Sequence, residues 1–92
     1  MSAERAETIA VAALGWIAAE PDRSGAFLGA SGASVDDLRR RASDPEFLGF
    51  VLDFLLQDDQ GVQEFAAQMP CRPEDVLRAR ASLPGGNLPH WT

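Results

Sequence analysis

The chain has 92 residues, of which 46% are apolar, and carries 14 acidic against 8 basic side chains for a net charge of −6. That length supports one small core rather than two, and the ordinary apolar content argues against a disordered chain. Every basic residue is arginine, and the acidic balance repels phosphate backbones at long range, which disfavours sequence-independent nucleic-acid binding.

Cys71 is the single cysteine, so an intrachain disulfide and a cysteine-based metal cluster are both excluded and a reducing compartment is implied. The apolar run "IAVAALGWIAA" is too short to span a bilayer, and the preceding "MSAERAET" is not the net-positive leader of a secretory signal. A soluble, cytoplasmic protein without a membrane segment is expected.

Helical periodicity runs through most of the chain. Ile9, Ala12, Ala13, Trp16 and Ile17 define one apolar face of a first helix, which must stop at Glu20-Pro21 because the residue before proline avoids the α region. Asp22 is positioned to cap a short second helix carrying Phe27 and Leu28, ended by the glycines at 29 and 32. Ser34 followed by Asp37 forms a capping pair for a third helix over "VDDLRRRA". Ser43 or Asp44, then Pro45 and Glu46, opens a fourth, "PEFLGFVLDFLLQ", which is apolar nearly all round and therefore either central or part of an interface. Asp58 and Asp59 start a fifth helix with Val62, Phe65, Ala66 and Met69 on one side, stopped by Pro70. Pro73, Glu74 and Asp75 open a sixth that extends to about Leu83. Strict apolar–polar alternation is absent, so no strand is expected.

Residues 32–42, "GASVDDLRRRA", superimpose on residues 71–81, "CRPEDVLRARA", with Asp36, Leu38, Arg39, Arg41 and Ala42 opposite Asp75, Leu77, Arg78, Arg80 and Ala81. With successive one-residue slips the match continues upstream, setting Phe27 opposite Phe65 and "AAEPD" opposite "LLQDD". The expected fold is all-α: a compact bundle of five or six short helices around residues 45–57, with two stacked three-helix repeats as one arrangement. Residues 1–84 are expected to form this single domain and residues 85–92 a flexible C-terminal tail.

The segments "LGWIAAEPDRSGAFLGASG", "VDDLRRRASDPEFLGFVLDFLLQDD" and "PEDVLRARASLPG" resemble the small acidic helical proteins of an uncharacterised alphaproteobacterial family known only as a domain of unknown function. The resemblance covers nearly all of the chain up to Pro84 and is most specific in "DPEFLGFVLDFLLQDD". Arg72 departs from the small or acidic cap that the pattern favours before Pro73. The resemblance implies a helical fold and a bacterial cytoplasmic setting; it supplies no site residues.

Few residues have chemical potential. On a helical wheel Val35, Leu38 and Ala42 share the buried side, Arg39 flanks them and Arg40 points away. Asp36 and Asp37 lie three or four residues before Arg39, Arg40 and Arg41, so each arginine has a place in a capped surface helix. The competing reading makes Arg39, Arg40 and Arg41 a contact for an anion or an acidic partner. Arg80 falls on the apolar side of the last helix, where its guanidinium is expected to reach past the helix end to solvent, the other option being a carboxylate such as Asp53. Asp53 has no second carboxylate at a spacing that supports acid–base work. Arg72 beside Cys71 favours a lowered thiol pKa, but the only histidine, His90, lies in the tail. Trp91, with Leu88, either covers a core edge or serves as a docking peptide.

No catalytic, cofactor or metal site is expected, and no small-molecule substrate is indicated. The expected function is a non-catalytic protein-interaction or regulatory module acting on an unidentified protein or as a homodimer. Its candidate contact residues are Arg39, Arg40, Arg41, Arg80 and Trp91. A helix-turn-helix-like nucleic-acid module with "VDDLRRRA" as recognition helix is the alternative, opposed by the acidic balance.

Overall fold

Six helices follow one another through short connections in the computed structural model, which describes residues 1–69 and 71–84. Pro70 and residues 85–92, with Leu88, His90 and Trp91, lie outside the described residues, and with them the stop at Pro70 and the expected tail. Helix α1 spans Ala3–Ala19; Ser2 caps it, accepting a hydrogen bond from the Arg5 amide at 3.1 Å. Glu20 ends α1 in an extended conformation and is at the same time the N-cap of α2 (Pro21–Ser31), because Pro21 fits the first helical position and forbids continuation. Asp22, expected as that cap, lies inside the first turn instead, and the cap position makes no side-chain hydrogen bond. Gly32, at φ +69°, terminates α2 in the left-handed region that side chains with a Cβ avoid.

Helix α3 (Val35–Arg41) carries the expected capping box: Ser34 Oγ accepts from the Asp37 amide at 3.1 Å and Asp37 accepts from the Ser34 amide at 3.0 Å. Asp44 caps α4 (Pro45–Leu56), and Asp58 occupies the N-cap of α5 (Asp59–Gln68). At α6 (Pro73–Ala81) the cap residue is Arg72, whose side chain has no acceptor; Asp75 supplies the only half of the box available by accepting from the Arg72 amide at 3.0 Å. No helix is long and apolar enough to cross a membrane among the described residues.

The apolar α4 is central, as its composition requires. It packs on α1, α5 and α6, while α1 packs in turn on α2 and α6. Phe47, Leu48, Val51, Leu52 and Leu55 are buried, and Phe27 of α2 inserts among the rings of Phe47, Phe50 and Phe54 at centroid distances of 6.0, 5.6 and 5.1 Å. Burying a ring such as Phe27 stabilises the fold by about 1.5–3 kcal/mol, with edge-to-face pairing adding to it. Trp16 meets Phe65 edge-on at 6.0 Å and closes the other side.

An internal repeat is present in the burial pattern, but in a different register from the one the sequence identities suggest. Ile9 and Phe47, Ala13 and Val51, Leu14 and Leu52, Ile17 and Leu55, Phe27 and Phe65, and Leu38 and Val76 are all buried, and each pair has the same spacing of 38 residues. The N-caps Glu20 and Asp58, and Ser34 and Arg72, keep that spacing, so no slip is needed. The identity match sets Leu38 opposite Leu77, yet Leu38 is 9% exposed and Leu77 is 59% exposed. The identical arginines pull that alignment one residue away from the register that the core obeys. The symmetry is broken at the third helices: α6 is wedged against α1, α4 and α5, whereas α3 has no comparable packing and Leu38 is its one buried residue.

Candidate functional site

Arg80 does not escape past the end of α6, as its long side chain would allow. Its guanidinium turns inward across α4, donating from Nε to Asp53 Oδ1 at 2.6 Å, from Nη2 to Asp53 Oδ2 at 2.9 Å and from Nη1 to the Pro84 carbonyl at 3.0 Å. The passage exists because Gly49 has no side chain: a Cβ there would lie 2.8 Å from Arg80 Nη1 and 3.3 Å from the Pro84 oxygen. Arg80 is 15% exposed and donates three hydrogen bonds, so its guanidinium fixes α6 to α4.

The arginine triplet divides three ways. Arg40 pairs with Asp37, three residues before it, rather than with Asp36 as the four-residue spacing suggests. The hydrogen bond from the Ser34 amide, this contact and the Ser34 hydroxyl hold the Asp37 carboxyl below its ordinary pKa of 3.8. Arg41 lies over the ring of Phe47, 4.6 Å from its centroid. Arg39 is exposed, with no hydrogen bond or ion pair among the described residues. Val35 also departs from its expected buried position: it is 53% exposed, one turn before Arg39 on the outer face of α3. The bundle reaches α3 on one side only, and Leu38 takes that side.

Two open grooves lie near opposite ends of α4. One, of about 440 Å³, is lined by Leu56, Val62, Pro73 and Leu77 with Asp59, Gln63 and Glu74, so its only charged groups are carboxylates. Leu77 is the most exposed large apolar side chain among the described residues. The other groove, of about 490 Å³, has an apolar floor of Val11, Ala42 and Leu48 and a polar wall of Glu4, Glu7, Thr8 and Ser43. Neither groove was visible in the sequence, since Leu77 and Val11 both sit in helical patterns that a wheel assigns to the core as readily as to the surface.

Arg23 and Trp16 form a contact that sequence spacing did not announce. The Arg23 guanidinium stacks on the indole 3.7 Å from its centroid, and Nη2 donates to the Trp16 carbonyl at 3.1 Å. The corner at Pro21 folds α2 back so that residues seven apart meet, and the pair pins the start of α2 on the end of α1. Cys71 is half-buried; burial and the neighbouring Asp75 push its thiol pKa up, opposite to the lowering expected from Arg72. No cluster of three or more histidine, cysteine, aspartate or glutamate side chains that would hold a metal occurs among the described residues.

No curated protein and no solved structure matches the chain. Residues 3–86, which include all six helices, match the model of DUF3572, and the chain belongs to this family of proteins of unknown function.

Proposed function

We propose that the chain is a non-catalytic protein-interaction or regulatory module that docks its partner in the groove between α5 and α6. The observation that carries this reading is Leu77, which stands 59% exposed in a groove whose other apolar walls are Leu56, Val62 and Pro73. Covering the part of Leu77 that remains exposed contributes about 1–2 kcal/mol to association. The charged groups of the groove are Asp59 and Glu74, so the complementary partner presents an apolar side chain flanked by arginine or lysine. A bacterial cytoplasmic setting, implied by the sequence resemblance, belongs to the same reading.

The test is comparative capture from native cell extract, with the wild-type chain beside Leu77→Asp and Glu74→Arg, each verified as folded by circular dichroism. A protein retained by the wild type and released by both variants supports docking in the groove. Equal retention by all three chains overturns it. Nucleic-acid binding by α3 is the weaker reading, because Arg40 is held by Asp37 and Arg41 lies on Phe47, which leaves Arg39 as the free cation of the triplet. A duplex mobility shift abolished by replacing Arg39, Arg40 and Arg41 would revive it.

A further inference from the structure

We propose that the groove between α1 and the α3–α4 corner binds a second copy of this chain, forming a two-fold dimer in which Arg39 of each protomer enters the groove of its partner and meets Glu4 and Glu7. This groove shares no lining residue with the one around Leu77, so the dimer stands or falls independently of the docking reading.

The first support is chemical. An apolar floor of Val11, Ala42 and Leu48 flanked by Glu4 and Glu7 suits a guanidinium on a methylene stem: the stem covers the floor while the head reaches the carboxylates. Val11 is 46% exposed on that floor.

The second support is the repeat. At the 38-residue spacing Val11 corresponds to Gly49 and Ala42 to Arg80. In the second repeat Arg80 fills the place over Gly49 and pairs with Asp53. In the first repeat the residue at the spacing of Arg80 is Ala42, whose methyl group does not reach across α1, and the surface over Val11 stays open as the groove. The second repeat seats its guanidinium over glycine and against Asp53, whereas the first has Val11 and Gly15 at those positions, so an incoming guanidinium finds its carboxylates in Glu4 and Glu7 instead.

The third support is the placement of the missing cation. Arg39 lies three and four residues before Ala42 and Ser43, both of which line the groove, and it is exposed without an ion pair among the described residues. With Val35 one turn earlier, α3 presents an exposed apolar–basic stripe, and α1 presents an apolar–acidic one of Glu4, Glu7, Thr8 and Val11. Two stripes of opposite sign on one chain can meet under a two-fold axis, which forms the arginine–glutamate contact twice. The net charge of −6 on each protomer opposes association at long range, so the dimer is weak and concentration-dependent.

Sedimentation equilibrium of the full chain, taken to submillimolar concentration, tests the dimer. The wild type is expected to show a monomer–dimer equilibrium. Arg39→Glu alone, and Glu4→Arg with Glu7→Arg in a second variant, are each expected to weaken association about tenfold or more, and combining the three changes restores it. Leu77→Asp leaves the equilibrium unchanged. All substitutions are at exposed or half-exposed positions, and circular dichroism confirms the fold before each run. A wild type that stays monomeric throughout, a dimer indifferent to Arg39→Glu, or a triple variant that fails to recover association each overturns the proposal.

Discussion

Arg80 and Asp53, 27 residues apart, are joined by two parallel hydrogen bonds that run across the bare backbone of Gly49. The pair combines a 15% exposed arginine with a carboxylate that is 48% exposed, so its energy lies between that of a surface ion pair and a buried one. Asp53→Ala and Arg80→Ala are each expected to lower stability by about 1–2 kcal/mol. The double variant should cost less than the sum by about 1 kcal/mol, as measured by urea unfolding in a double-mutant cycle. Arg80→Lys keeps the charge but loses the fork and should recover less than half of the coupling.

Gly49 gives a prediction with a change of sign. Alanine at a helix interior normally stabilises by about 0.8–1 kcal/mol over glycine, but here its Cβ would meet Arg80 Nη1 at 2.8 Å. Gly49→Ala should therefore destabilise the wild type by about 1 kcal/mol or more, since the guanidinium must leave Asp53 or distort. In an Arg80→Ala background the same substitution should cost less than half as much. Equal cost in both backgrounds in thermal or urea melts would place the strain elsewhere, for instance at the Pro84 carbonyl.

The repeat register is open to a direct stability test. Val76 is fully buried while its neighbour Leu77 is largely exposed. Val76→Ala should cost about 2 kcal/mol, whereas Leu77→Ala should stay within about 0.5 kcal/mol of the wild type. The identity alignment, which sets Leu77 opposite the buried Leu38, predicts the reverse order. Urea midpoints of the two variants decide between them.

Acid should loosen α3. The folded Asp37 carboxyl is held below 3.8 by the Ser34 amide, the Arg40 guanidinium and the Ser34 hydroxyl. A depressed folded pKa contributes stability that is present above the unfolded value and lost as pH falls through the folded one. Protection of the Asp37 and Leu38 amides from exchange, relative to the unstructured rate at the same pH, should therefore fall below about pH 4, and Asp37→Asn should remove that pH dependence while weakening the cap at neutral pH.

Cys71 should react slowly with alkylating agents at neutral pH, because burial and Asp75 both disfavour its thiolate. Its rate with iodoacetamide is expected to fall below that of glutathione measured alongside. Asp75→Asn should raise the rate by removing the neighbouring negative charge. A wild-type rate above that of glutathione would contradict the environment described for the thiol.

Helix identity and most helix ends were legible in the sequence, because the interactions that set them are local. Pro21, Gly32, the Ser34–Asp37 box and Asp44 act within about a turn of themselves, and their effect does not depend on what packs nearby. The apolar character of α4 on nearly all sides likewise determined its central position, since no orientation of that helix on a surface could hide its phenylalanines and leucines. Only the tertiary structure decided which side of each short helix is the inner one. On α6, Val76 and Leu77 are equally apolar, and the positions of α1, α4 and α5 bury the first and expose the second. The same packing turned Arg80 inward to Asp53 through the gap at Gly49 and brought Arg23 back onto Trp16 around Pro21. A seven- or nine-residue helix with apolar groups on several sides has no face of its own; its neighbours assign one, and with it the grooves that remain open to a partner.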